Sequence, residues 1–255
     1  MLPDATPMIE AVDLQRSFGD RVAVKGISLE VSPGELFGFL GPNGAGKTTT
    51  IKMLIGVLRP SAGQARIGGY DVQREPQAAK RLLGYVPAEP DLPGRMNARE
   101  YLDYVAGLYR VPPADARRRA EEWLHVFDLV DQADDLVDGY SHGMRQKMML
   151  AGALLHQPKA LFLDEPTVGL DPHGARQVKD ILRELTARGA AVFLTTHIME
   201  IAERMCDRIA IVDHGELVAL GTMDELRRGA TTTLEDLFLA LTGGHADAAI
   251  AAALG

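Results

Sequence analysis

Apolar and polar residues alternate over Met8–Leu14 (MIEAVDL) and Val22–Val31 (VAVKGISLEV), a period of two that predicts half-buried strands. The turn Ser32–Glu35 (SPGE) leads into Leu36–Leu40 (LFGFL), a short continuous apolar run. After a glycine-rich turn at Gly41 the period changes. Ile51, Leu54, Ile55 and Leu58 recur three and four apart and predict a helix from Lys47 to Leu58, stopped by Arg59–Gly63 (RPSAG). Leu82–Val86 (LLGYV) predicts another strand, before the proline-rich PAEPDLPG.

From about Met96 to Gln157 the pattern is helical throughout. REYLDYVAGLYR and DARRRAEEWLHVFDLV carry apolar residues at helical spacing, broken by Val111–Pro113, which reads as an all-helical insertion. Alternation then resumes: ALFLD from Ala160, a helix across RQVKDILRELTAR, AVFLTTH, a helix near IMEIAERM, and RIAIVDHGELVAL. Strands alternating with helices predict a largely parallel sheet covered on both faces. A short amphipathic TLEDLFLALTGG follows, and an alanine-rich tail from His245 is expected to fray. The domain is therefore placed over residues 8–242, with the helical insertion at about 96–157 and a flexible tail at 243–255.

The 255 residues are 46% hydrophobic, enough for a sizeable core, and the formal net charge is −8. That balance argues against a protein that tracks nucleic-acid phosphates. The one dense cationic run, around Arg117–Arg119, is followed at once by acids and reads as a solvated helix face. A single cysteine, Cys206, fits a reducing compartment, and no secretory leader is expected. No apolar run approaches the ~20 residues that span a bilayer, so a membrane role would be by docking.

The chemistry is concentrated in four places. Gly41–Thr48 (GPNGAGKT) matches G-x-x-x-x-G-K-[ST] between a predicted strand and a predicted helix, the context the motif requires. Its glycines let backbone N–H groups turn inward onto phosphate oxygens, while Lys47 neutralises their charge and Thr48 offers a hydroxyl to Mg²⁺. Ala160–Pro166 (ALFLDEP) buries an apolar strand and delivers two carboxylates at its carboxyl end. There Asp164 suits a Mg²⁺ site, and Glu165 is placed to orient or deprotonate a water. AVFLTTH ends at His197, whose neutral imidazole suits hydrogen bonding to a γ-phosphate, although a lone histidine is more often structural. Tyr140–Leu155 (YSHGMRQKMMLAGALL) opens on Ser141 and Gly143. By itself that start is an N-cap; beside a phosphate loop it is also an anion site.

Taken in order, GPNGAGKTT, YSHGMRQ, LFLDEP, VGLDP and TTH make the chain resemble the ATP-binding cassette (ABC) proteins over nearly its whole length. The resemblance implies a P-loop NTPase (RecA-like) α/β core with an N-terminal antiparallel β subdomain and an inserted α-helical subdomain. It implies an ATPase that uses ATP and Mg²⁺. ATP would lie on Gly41, Pro42, Asn43, Gly44, Ala45, Gly46, Lys47, Thr48 and Thr49, with Phe18 stacked on adenine, Thr48 and Asp164 toward the metal, and Glu165, His197 and Lys47 as catalytic groups. Ser141 and Gly143 would close over ATP held by a second cassette, with Asp171 along the seam of a head-to-tail dimer. The pattern is closest to the cassettes of ABC-2 type exporters, which implies a homodimer or paired cassette, peripheral on the cytoplasmic face of the plasma membrane, driving a separate integral permease. The permease would dock on the helical insertion and the segment after Ala88, where Tyr101, Leu102 and Tyr109 read as either docking surface or core, with helical spacing favouring core.

Two segments depart from the family pattern, the signature and the stretch after the strand. The family's commonest signature is Leu-Ser-Gly-Gly-Gln; this chain keeps Ser141 and Gly143 but has His142 in place of the first glycine and Met144 in place of the glutamine. The usual metal-reaching glutamine after the strand is Ala88, which cannot ligate a metal, leaving Glu89 or water to substitute. The competing function is a soluble ABC-type ATPase that remodels a non-membrane assembly. Cys206, Trp123 and Met144, Met148 and Met149 read as packing residues.

Overall fold

The computed structural model describes residues 6–227 and 232–243. The chain opens with an antiparallel hairpin, β1 (Ile9–Phe18) and β2 (Arg21–Val31), followed by the buried β3 (Leu36–Leu40) and α1 (Lys47–Leu54). It continues through β4 (Ala62–Ile67), β5 (Tyr70–Asp71), α2 (Pro76–Leu82) and β6 (Leu83–Val86). Three helices come next, α3 (Ala98–Leu108), α4 (Pro113–Val126) and α5 (His142–Leu155), with a 3-10 turn at Val137–Gly139. The alternating part comprises β7 (Ala160–Asp164), α6 (Pro172–Ala187), β8 (Ala191–Thr195), α7 (Met199–Met205), β9 (Arg208–Asp213) and β10 (Glu216–Gly221), followed by α8 (Met223–Arg227) and α9 (Leu234–Leu241).

Two sheets result. One is antiparallel, in the order β2-β1-β4-β5; the other has the order β10-β9-β3-β8-β7-β6 and is parallel except for the β9–β10 hairpin. Strands β3, β7 and β8 are buried at every residue, as continuous apolar runs in a sheet covered on both sides should be. Their period of two divides the core. Leu161, Leu163, Val192 and Leu194 face the helices α3–α6, whereas Phe37, Phe39, Phe162 and Phe193 face α1 and the antiparallel sheet. On that second face the aromatic rings pack at centroid distances of 5.1–5.6 Å.

Several expectations need correction. The helix read as Lys47–Leu58 ends at Leu54. Gly56 takes φ +72°, its N–H donates to the Met53 carbonyl and Val57 N–H donates to Lys52, a Schellman stop that apolar spacing does not reveal. The helix stop Arg59–Gly63 runs directly into β4, whose Ala65 and Ile67 are buried against β1, and β5 and α2 follow. RIAIVDHGELVAL is a hairpin of two strands turning at His214–Gly215. The arginine run is not uniformly solvated: Arg118 pairs with Asp115 and Glu122, but Arg119 folds inward and donates to the Leu155 carbonyl at 3.1 Å. Tyr101 and Leu102 are core, and Tyr109 stacks on His156 with centroids 3.6 Å apart. Cys206 closes α7 and packs against Gly38. Of the three methionines, Met148 is fully buried and the others partly. The tail read from His245 lies outside the described residues.

His156 has a consequence for stability. Its Nε2 lies 3.0 Å from the Leu83 carbonyl, which can only accept, so Nε2 carries the proton, and the buried Nδ1 has no partner among the described residues. Burial lowers its pKa to about 4, the Leu83 bond opposes that shift, and Arg119 reinforces it. The unfolded chain therefore binds a proton between pH 6.5 and 4 that the folded chain does not, and stability falls as the pH drops through that window. His156→Phe, which keeps the stack on Tyr109, is expected to lose about 1–3 kcal/mol less than the parent between pH 6.5 and 4.5, measured by urea unfolding at each pH.

Candidate functional site

The strand period that buries Phe162 and Phe193 toward α1 also sends Asp164 and Thr195, two residues further on, to the same face. These two are register partners across β7 and β8. Asp164 is 4% exposed, and its carboxylate is held from two sides: Thr195 Oγ1 donates to Oδ1 at 2.5 Å and Thr48 Oγ1 to Oδ2 at 3.1 Å. Thr48 lies in the first turn of α1, so this pair joins the strand end to the glycine-rich loop.

The loop Gly41–Thr48 runs from the end of β3 into α1. Gly44 and Gly46 take φ +82° and +103°, and a Cβ at Gly46 would meet the Ala23 carbonyl at 2.7 Å, so only glycine fits there. Ala45 N–H closes onto Pro42, Gly215 N–H donates to the Ala45 carbonyl, and Lys25 N–H to that of Gly215, which ties the loop to both sheets. Lys47 Nζ bends back to the Gly41 and Pro42 carbonyls at 2.6 and 3.2 Å. Burial lowers its pKa, and the Glu165 and Asp164 carboxylates oppose that. Asn43 and Thr49 occupy the remaining positions of the loop and helix start. The result is a loop with two left-handed glycines beside one cation, two hydroxyls and two carboxylates.

Glu165 leaves the strand in the left-handed region, φ +51°. Its N–H donates to the Thr195 carbonyl at 3.1 Å, and its Oε2 accepts from His197 N–H and faces His197 Nδ1 at 2.9 Å. Both acids and the histidine are thus brought together at the carboxyl ends of β7 and β8. Phe18 ends β1 half exposed, with the Arg16 guanidinium 4.6 Å from its ring centroid. Its register partner Arg21 reaches toward Gly44, which puts the hairpin end beside the loop.

Ser141, Gly143 and Asp171 form a separate group. Ser141 Oγ accepts Met144 N–H at 3.3 Å and caps α5; Asp171 accepts Gly174 N–H at 2.9 Å and caps α6. Among the described residues neither cap hydrogen-bonds to Gly41–Thr48. The two caps meet instead through His142, which fills the space a Cβ at Gly169 would need. Sequence reasoning gave Thr195, Arg21 and Gln146 no role. Gln146 is fully buried and its amide donates to the Pro166 carbonyl at 3.4 Å, linking α5 to the turn after Glu165. The polar residue at the end of the otherwise apolar AVFLT was the available signal for Thr195. Ala88 follows β6 and supplies no ligand, as its side chain requires.

A buried parallel strand entering a phosphate-type loop, next to a strand that ends in two carboxylates, defines a P-loop NTPase fold. Solved structures agree. An ATP-binding subunit of an ABC transporter is 33% identical, with a TM-score of 0.88 over 92% of this chain and 99% of that one. A Clostridium perfringens subunit that is part of the ABC transporter complex cbiONQ is 26% identical, with a TM-score of 0.75 over 88% and 91%. The family model described as ABC transporter matches residues 24–168, more than half of the chain. Relatives include the linearmycin resistance ATP-binding protein of Bacillus subtilis (38% identical, covering 89% of this chain and 74% of the relative), a daunorubicin resistance ATP-binding protein of Streptomyces coeruleorubidus (42%; 84% and 67%) and the Nod factor export ATP-binding protein I of Paraburkholderia xenovorans (39%; 88% and 73%). The chain belongs to the ABC transporter family and is one of its ATP-binding proteins, which are ATPases. None of the relatives named here supports a soluble remodelling ATPase. Among the described residues no helix is long and apolar enough to cross a membrane.

The His142–Gly169 contact is testable. A Cβ at Gly169 would lie 2.2 Å from His142 Nδ1, and φ there is +78°. Gly169→Ala is expected to destabilise the protein by about 2–3 kcal/mol, from overpacking added to backbone strain. In a His142→Ala background roughly half of that should vanish, the strain remaining, as read by a double-mutant cycle in urea.

Proposed function

We propose that this chain is the ATP-hydrolysing subunit of an exporter, peripheral on the cytoplasmic face of the plasma membrane and coupled to a separate membrane-spanning permease. The observation that carries the reading is the meeting of Asp164 and Glu165 with Thr48 and His197 beside the loop Gly41–Thr49. ATP phosphates lie along Gly41, Pro42, Asn43, Gly44, Ala45 and Gly46, where the glycines and Asn43 offer backbone N–H groups, and Lys47 exchanges its two carbonyl partners for phosphate oxygens. Thr48 and Thr49 receive the phosphates at the helix start, and Phe18 stacks on adenine beside Arg21. The hydroxyl of Thr48 and the carboxylate of Asp164 are hard oxygen donors on one side of the loop, a donor set that fits Mg²⁺ sharing phosphate oxygens and water. The metal, when bound, neutralises charge on the β- and γ-phosphates. Glu165 orients and deprotonates the attacking water, and His197 holds Glu165 and reaches the γ-phosphate.

Ser141, Gly143 and Asp171 belong, in this reading, to the ATP site of a partner cassette. Ser141 uses its oxygen lone pair on Met144 N–H, which leaves the hydroxyl proton free to donate. Two copies, or a paired cassette, arranged head to tail then close over two ATP molecules and loosen after hydrolysis. The relatives' names specify export or drug resistance, which supports the same direction here. For the permease we assign the groove of about 860 Å³ between α4, the end of α5 and α6, where Trp123, Val126, Leu154, Pro158, Ile181 and Leu185 form an apolar floor. The segment after Ala88 does not line it.

Glu165→Gln is expected to lower kcat by at least about 100-fold while binding ATP, and to remain dimeric with ATP and Mg²⁺ by light scattering; a monomer would refute the dimer. Ile181→Glu should leave basal ATPase activity unchanged and abolish copurification of a membrane-spanning partner from the native host in mild detergent. Partner recovery at the parental level would exclude the groove.

A further inference from the structure

Resting on the nucleotide-site reading above, we infer that Thr195 is a positioning residue that aims Asp164 at the metal. The hydroxyl is completely buried and lies within hydrogen-bonding reach of three groups. It is 2.5 Å from Asp164 Oδ1, 3.3 Å from the Glu165 N–H and 3.5 Å from the Leu163 carbonyl. It has one proton. The short distance assigns that proton to the carboxylate, and a lone pair then accepts from Glu165 N–H. The chain of donors therefore runs in one direction, from the Glu165 amide through Thr195 to Asp164, each bond polarising the next.

This arrangement does two things that neither acid does alone. It fixes the rotation of the Asp164 side chain, because Oδ1 is tied to β8 while Oδ2 is left to face Thr48 across 3.1 Å. It also helps seat the left-handed turn at Glu165, whose N–H is shared between the hydroxyl and the carbonyl of Thr195. Without the hydroxyl, Asp164 keeps its burial and loses one of two donors. Its carboxylate can then turn away from the metal side. A nucleotide held by the loop alone would be unaffected, since Thr195 makes no hydrogen bond to Gly41–Thr48 among the described residues. The effect belongs to the metal and not to the nucleotide.

Thr195→Val keeps the volume and β-branching and deletes the hydroxyl; Thr195→Ser keeps the hydroxyl, and Thr195→Ala deletes it with less bulk should the valine variant fail to fold. Mn²⁺ serves as the probe, followed by electron paramagnetic resonance in the presence of saturating ATP. Binding of a fluorescent ATP analogue in EDTA is measured alongside. Thr195→Val or Thr195→Ala is expected to weaken Mn²⁺ binding about tenfold or more, with metal-free nucleotide affinity within about twofold of the parent, and Thr195→Ser should restore most of the Mn²⁺ affinity. Equal losses of metal and nucleotide binding, or Mn²⁺ binding by Thr195→Val and Thr195→Ala indistinguishable from the parent, would overturn the inference. Failure of the parent itself to take up Mn²⁺ with ATP would remove the nucleotide-site reading beneath it.

Discussion

An ionised carboxylate withdrawn from water is costly unless donors replace its hydration. Asp164 is withdrawn almost completely, and its replacement donors come from two elements far apart in the chain, α1 and β8. That single requirement organises the molecule. It demands that β7 and β8 be in register to the last residue, that α1 begin where the glycine-rich turn ends, and that both lie on one face of the sheet. The aromatic layer of Phe37, Phe39, Phe162 and Phe193 meets those demands from beneath, because the period that buries the rings carries the polar residues to the rim.

The same period explains how two adjacent acids come to differ. Asp164 is the last residue of β7 and keeps the strand's alternation, so it faces α1. Glu165 escapes that alternation by entering the left-handed region, which lets its side chain meet His197 at the end of the neighbouring strand. A regular continuation of the strand would have directed it into the helical layer, where Leu161 and Leu163 already point. Local strain at one backbone position thus separates a buried, doubly held carboxylate from a more accessible one.

Much of this was legible in the sequence. The apolar runs LFGFL, ALFLD and AVFLT announced the buried parallel strands, and the phosphate-type loop was readable because its glycines stand at fixed spacing between a strand and a helix. Less legible were features set by single residues in special conformations or by partners distant in sequence. The stop at Gly56 depends on a backbone dihedral; β4 is short and half polar, and exists because β1 supplies its hydrogen bonds. Arg119 looked like part of a solvated face and Trp123 like plain core, yet both line the groove between α4 and α6, which only the packing of three separate segments creates. Thr195 was visible as a polar residue, but its role depends on a register partner thirty-one residues earlier, Asp164. The contact of His142 with Gly169 joins two loops whose pairing no local pattern encodes.

The phosphate-type loop is propped from behind mainly by main-chain groups. The carbonyls of Ala23 and Val212 stand where side chains at Gly46 and Gly41 would go, and the Gly215 amide and Ala45 carbonyl complete the support. A buttress made of peptide groups is the same whatever side chains the neighbouring residues carry. The positions around it are therefore free to drift in evolution so long as the two hairpins keep their course, while the glycines themselves are not, and the shape of the loop is inherited through the path of the backbone more than through the identity of its neighbours.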